Sequence, residues 1–141
     1  WKNTPEGLKM GKGRVLCEGC EVAILSLGPL GNNVTKAIEL LETENIHPTH
    51  VDMRFLKPLD EELLADIAAH HKVLITIEDG VAKGGLFSAV SEYISDHQLD
   101  NRLSHIAIDD RFVPHGDIPS LYKELGFDAE GIARVIRKAV R

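Results

Sequence analysis

The stretch Val51-Asp-Met-Arg-Phe-Leu-Lys-Pro-Leu-Asp60 decides how this chain is read. Residues 50–55 are predicted to be a strand. Pro58 stops it, because proline lacks the amide a sheet needs. Asp60 then caps a helix running to about His70, since a short acceptor side chain meets the free amides of a first turn. Leu63, Leu64, Ile67 and Ala68 share one face of that helix. A strand that passes through a short turn into an amphipathic helix is the repeating unit of α/β proteins.

Working outward, the unit recurs. Residues 21–27 form an apolar run ended by Gly28-Pro29, which suits a strand buried on both faces. Apolar residues at 34, 37, 38, 40 and 41 follow at helical spacing, with Asn32 or Asn33 as the expected cap. Residues 73–77 are the next strand, followed by a loop holding Gly80, Gly84 and Gly85 and a helix from Leu86 to about Asp96. Residues 103–108 are a further strand. Asp117 caps a helix with Pro119 in its first turn, where the missing amide does no harm. Asp128 caps the last helix, which runs through Ile132, Val135 and Ile136. Residues 15–17 add an edge strand. The expected fold is a three-layer α/β/α domain with a mostly parallel five-stranded sheet and right-handed crossovers. Residues 14–141 form the domain, and residues 1–13 are a linker from a preceding one. The loops at 28–33, 55–59, 78–85 and 109–116 gather at one sheet edge, where open α/β sheets bind ligands or partners.

Bulk properties narrow the functions. At 141 residues, 43% of them hydrophobic, the chain fits one domain with a continuous core. No apolar run approaches the roughly 18 residues of a membrane span. The start, Trp1-Lys-Asn-Thr-Pro-Glu-Gly7, lacks a signal-peptide core and an initiator Met, so a piece of a longer chain is expected. A net charge of −6 without basic blocks argues against nucleic acid as a partner. Lys2, Lys9, Lys12 and Arg14 read as a solvated linker. Cys17 and Cys20 precede a strand instead of opening a helix. That disfavours a redox pair, leaves a zinc site short of ligands, and suits two reduced cytoplasmic thiols.

Each candidate site also admits a plainer role. Gly28-Pro-Leu-Gly31, with Asp52 in the end region of the next strand, is a broken dinucleotide fingerprint, or simply a turn into a helix. Glu78-Asp79-Gly80 with Asn101 has the oxygen donors a hard cation needs; its alternative is an acidic strand end. Gly84-Gly85 before Leu86 leaves free amides at a helix start, which suit an anion with help from Lys83, or only permit a tight loop. Asp110, Arg111 and His115 place three polar groups around Phe112. They suit a site, or more readily an interface with Arg111 in a salt bridge. His70-His71 is expected to cap the end of a helix.

Several of these stretches together carry a resemblance. They are Gly11-Lys-Gly-Arg-Val-Leu16, the Val51–Leu63 stretch, Gly84-Gly85 with Ser88-Ala-Val90, Asp110-Arg-Phe-Val-Pro-His-Gly116, and Gly126-Phe-Asp-Ala-Glu-Gly-Ile-Ala133. They resemble the C-terminal domain of the transketolase superfamily, and within it that of the 1-deoxy-D-xylulose-5-phosphate synthases. Where that family usually reads Glu-Glu-Asn, this chain has Glu78-Asp79-Gly80; for Gly-Gly-Phe-Gly it has Gly84-Gly-Leu-Phe87. The resemblance implies a cytoplasmic transferase that joins pyruvate and glyceraldehyde 3-phosphate. Its thiamine diphosphate and Mg²⁺ lie in preceding domains, and it acts as a homodimer. It implies no cofactor and no catalytic residue in this chain, only packing against those domains. Glu78, Asp79, Gly84, Gly85, Asp110, Arg111 and His115 are the expected interdomain or anion contacts. A free-standing interaction or nucleotide-binding domain is the alternative.

Overall fold

The structure, a computed structural model, describes residues 7–141. Lys2 and the first part of the expected linker lie outside them. The strands are β1 (Arg14–Cys17), β2 (Val22–Ser26), β3 (Thr49–Asp52), β4 (Val73–Val81) and β5 (Arg102–Ile108). The helices are α1 (Gly31–Glu42), α2 (Glu61–His70), α3 (Leu86–Asp96), α4 (Ile118–Leu125) and α5 (Ala129–Ala139). The sheet order is β1-β3-β2-β4-β5. β1 runs antiparallel to β3, and the other three pairings are parallel. This is the expected three-layer domain with a mostly parallel five-stranded sheet.

Alternation along the central strands builds two cores. Val22 and Ile24 of β2, with Val73, Ile75 and Ile77 of β4, face a cluster completed by α1 and α5. Ala23, Leu25 and Leu74 face the opposite cluster with Leu64 and Ile67 of α2 and Leu86 and Val90 of α3. Both faces of β2 and β4 are apolar. Each large side chain gains roughly 1.5–3 kcal/mol on burial, so a helical layer is required on either side.

Three local expectations change. β3 ends at Asp52, short of Phe55, because Arg54 takes a left-handed φ of 57° and turns the chain. β4 continues past Ile77 to Val81, where it rejoins β5 at Ile108. Neither asparagine caps α1. A 3-10 turn over Gly28–Leu30 leads straight into the helix, and Asn33 instead donates from Nδ2 to the Phe127 carbonyl at 2.9 Å. The caps at Asp60, Asp117 and Asp128 do form, accepting from the amides of Leu63, Ser120 and Gly131.

Lys12 departs from the solvated-linker reading. Its Nζ donates to Asp60 at 3.1 Å and also to Glu62, while the Gly13 amide donates to Asp60 at 3.0 Å. The segment before β1 is thereby tied to the start of α2.

Candidate functional site

Because β2 to β5 are parallel, their C-terminal ends share one edge, and the loops that follow them lie there together. At its centre, the buried Glu78 ends the hydrophobic part of β4 and turns its carboxylate onto the start of α3. Oε2 accepts the Leu86 amide at 2.9 Å and Oε1 the Phe87 amide at 3.0 Å. The helix-start amides expected to attract an anion are thus met by the protein's own carboxylate. Gly85 makes room for it, since a Cβ there would lie 2.2 Å from Glu78 Oε2. Gly84 adopts φ +80° and its amide donates to Ser88 Oγ at 2.8 Å, closing the loop. An acid ending an apolar strand, followed by paired glycines, is the sequence signal for this arrangement.

Asp79 points outward and is exposed. Lys83 pairs with Asp110 at 2.9 Å across the 78–85 and 109–116 loops, with both side chains in water. Arg111 and His115 are exposed, and among the described residues neither side chain makes a hydrogen bond or ion pair. The expected Arg111 salt bridge is therefore absent within the described residues, because Asp110 is turned to Lys83. Phe112 is fully exposed, at 101% of its reference area, and Ile118 at the start of α4 is 66% exposed. So the structure brings Glu78, Gly84 and Gly85 into one capping unit, Lys83 and Asp110 into an ion pair, and leaves Arg111, Phe112 and His115 presented to solvent.

The neighbouring corner, after β2 and β3, holds two features that periodicity could not show. Ser26 Oγ lies 2.9 Å from Nε2 of the buried His50 and donates to the Val51 carbonyl at 3.2 Å. Burial pushes the His50 pKa down to about 4, against the pull of Asp52. Asp52 itself sits between Arg14 at 3.4 Å and Arg54 at 3.6 Å. A Cβ on Gly31 would stand 3.1 Å from Ser26 Oγ, so this glycine serves the approach of α1 to β2. The cleft lined by Arg14, Ser26, Gly31 and Asp52 holds about 100 Å³. That is below the roughly 300–1,000 Å³ of typical small-molecule sites.

The histidine pair caps α2 as expected. Nδ1 of His70 meets the Asp66 carbonyl at 2.8 Å and Nδ1 of His71 the Ile67 carbonyl at 2.9 Å. The buried His71 also meets Thr49 Oγ1 at 2.8 Å. Cys17 and Cys20 are free thiols.

The sequence model of the transketolase C-terminal domain matches residues 11–132. This chain belongs to the transketolase C-terminal domain family. As a transketolase C-terminal domain it is 46% identical over 138 residues to the 1-deoxy-D-xylulose-5-phosphate synthase of Parabacteroides distasonis, a match covering 98% of this chain and 22% of that protein. The synthase of Cytophaga hutchinsonii is 45% identical over 137 residues, covering 97% and 22%. The chain thus spans about a fifth of the length of the curated relatives it matches. Among solved structures, a split-gene transketolase determined as an inactive β4 tetramer superposes with a TM-score of 0.84 at 32% identity, covering 94% of this chain and 42% of that one. A transketolase mutant from Pichia stipitis superposes with a TM-score of 0.69 at 19% identity, which speaks to the fold alone.

In this transketolase C-terminal domain the oxygen donors of Glu78, Asp79 and Asn101 do not converge on one cation site. Glu78 is engaged by two amides. Asn101 lies before β5, at the opposite end of the parallel pair from Asp79, and donates to the carbonyls of Ala68 and His71. Among the described residues no cluster of His, Cys, Asp or Glu is arranged to hold a metal ion.

Proposed function

We propose that this chain is the C-terminal domain of a thiamine-diphosphate-dependent 1-deoxy-D-xylulose-5-phosphate synthase. That enzyme joins pyruvate and glyceraldehyde 3-phosphate with loss of CO₂, supplying isoprenoid and thiamine precursors in the cytoplasm. The observation that carries this reading is the alignment: nearly the whole chain matches such synthases at over 40% identity, yet covers only about a fifth of them. The cofactor and metal belong to the preceding domains, and the enzyme works as a homodimer.

The domain's part is structural. The loops after β4 and β5 pack against the preceding domains, with Phe112 and Ile118 as apolar anchors and Asp79, Arg111 and His115 around them. An exposed aromatic rimmed by charge is the composition of an interface centre. By itself the chain turns over no substrate.

The test is a chimera in which this chain replaces the matching segment of the Parabacteroides distasonis synthase. Formation of 1-deoxy-D-xylulose 5-phosphate from pyruvate and glyceraldehyde 3-phosphate is expected. A folded chimera without product, or turnover by this chain alone, would overturn the reading.

A further inference from the structure

Strand β5 ends the sheet, and its outer edge has no partner strand among the described residues. An open edge presents unpaired amides and carbonyls, and proteins usually blunt one with proline, lysine, a bulge or short length. β5 has seven residues, Arg-Leu-Ser-His-Ile-Ala-Ile, with neither proline nor lysine. From Arg102 to Ile106 it pairs with β4 without interruption. Its side chains alternate. Arg102 and Ile106 turn toward α5, where Arg102 donates to the Ala139 carbonyl at 2.9 Å and Ile106 joins the core with Ile132 and Ile136. Leu103 and His105 turn the other way, toward α3, where the His105 ring lies 4.3 Å from that of Phe87.

The surface beside this edge is cationic. Two grooves run along its α5 side and share Val135. The first, of about 340 Å³, has Arg102 and Lys138 over apolar surface from Leu103, Val135 and Ala139. The second, of about 220 Å³, has Arg134. Arg134 and Lys138 stand one turn apart on α5 and are exposed. Among the described residues neither they nor Arg102 makes an ion pair, whereas Arg137 of the same helix takes Glu44 and Glu130. The one acid lining the two grooves is Asp109, beyond the far end of β5. On a chain of net charge −6, this is a local reversal of sign. Like charges one turn apart also weaken a helix, and carboxylates brought by a partner would relieve that repulsion.

We infer that the β5 edge receives an extended acidic segment of a partner protein, which adds a strand beside β5 and turns alternate carboxylates toward Arg102, Arg134 and Lys138. Main-chain hydrogen bonds to the edge give the affinity, and the alternate side chains give the selectivity. Successive side chains of a strand face opposite ways, so the residues between the carboxylates lie on the Leu103 and His105 side and are apolar. The inference uses only this edge and does not rest on the synthase reading.

The probe is an end-capped, fluorescent peptide of alternating glutamate and valine, about eight residues long to span the seven of β5. Fluorescence anisotropy with the 141-residue chain should show saturable binding at micromolar to millimolar concentration. The same peptide with lysine for glutamate should not bind. A glutamate–valine peptide N-methylated at alternate amides keeps its charge but loses the edge hydrogen bonds, and should bind about tenfold more weakly or worse. The double variant Arg134→Glu, Lys138→Glu should keep the parent's urea midpoint, since both side chains are exposed, and weaken binding by about tenfold or more. Absence of binding by the glutamate peptide would overturn the inference, as would equal binding of the lysine peptide or affinity unchanged in the double variant. Undiminished binding of the N-methylated peptide would overturn the strand pairing.

Discussion

Glu78 closes the start of α3 from the end of β4: its Oε2 accepts the Leu86 amide at 2.9 Å. The contact joins two elements across the loop that separates them, and it is the reason Gly85 must lack a side chain. Removing the carboxylate leaves buried helix-start amides without an acceptor, at a cost of roughly 1–3 kcal/mol. Glu78→Ala is expected to lower the urea midpoint accordingly. Gly85→Ala should do the same by displacing the carboxylate. The two changes should couple, with Gly85→Ala costing at least about 0.5 kcal/mol less when Glu78 is already alanine. Additive costs in that cycle would refute the link.

Asp60 holds three donors at once: the Leu63 amide of its own helix, the Gly13 amide and the Lys12 ammonium. Burial raises its pKa, but these hydrogen bonds outweigh burial, and the net value lies below the ordinary 3.8. The unfolded chain therefore takes up this proton first as pH falls. The stabilisation is complete above about pH 3.8 and is lost as pH drops through the lower folded value. Asp60→Ala should cost roughly 2–3 kcal/mol at neutral pH. It should also expose the segment before β1 to proteolysis, read as early cleavage near Lys12.

His50 acts in a different pH window. Its ordinary value of 6.5 falls to about 4 in the folded chain. The unfolded state binds the proton more readily, so stability is full above about pH 6.5 and declines as pH falls toward 4. Linkage puts the loss at about 2 kcal/mol between pH 7 and pH 5. Urea unfolding at the two pH values measures it. His50→Gln, which cannot titrate, should flatten that slope.

Phe112 separates docking from stability. Being fully exposed, it packs against nothing within the described chain. Phe112→Ser should leave the unfolding free energy within about 0.5 kcal/mol of the parent. In the chimeric synthase the same change should weaken the attachment of this domain, seen as faster proteolytic release and lower product formation. A chimera indifferent to the substitution would remove this loop from the interface.

Much of the fold could be read along the chain because the signals are local. Asp60, Asp117 and Asp128 each meet an amide three residues on. Leu86–Asp96 begins after Gly84-Gly85 and runs the expected length. The α1 start departs from the local signal for a physical reason. Asn33 looks like a cap, yet its amide is satisfied by Phe127, ninety-four positions away. β3 ends earlier than its apolar run because Arg54 turns the backbone with a positive φ that no neighbouring glycine announces.

Local signals along the chain specify the α/β class, the mostly parallel sheet and the edge where the loops gather. Continuous apolar runs and helical apolar spacing, with short-range caps, carry that information within a few residues. Long-range packing sets the contacts those loops make. It gives the helix-start amides to Glu78, pairs Lys83 with Asp110, buries His50 against Ser26, and leaves Phe112 in water. Each outcome depends on which residues the strand order brings together, and that order becomes visible only when both cores are packed.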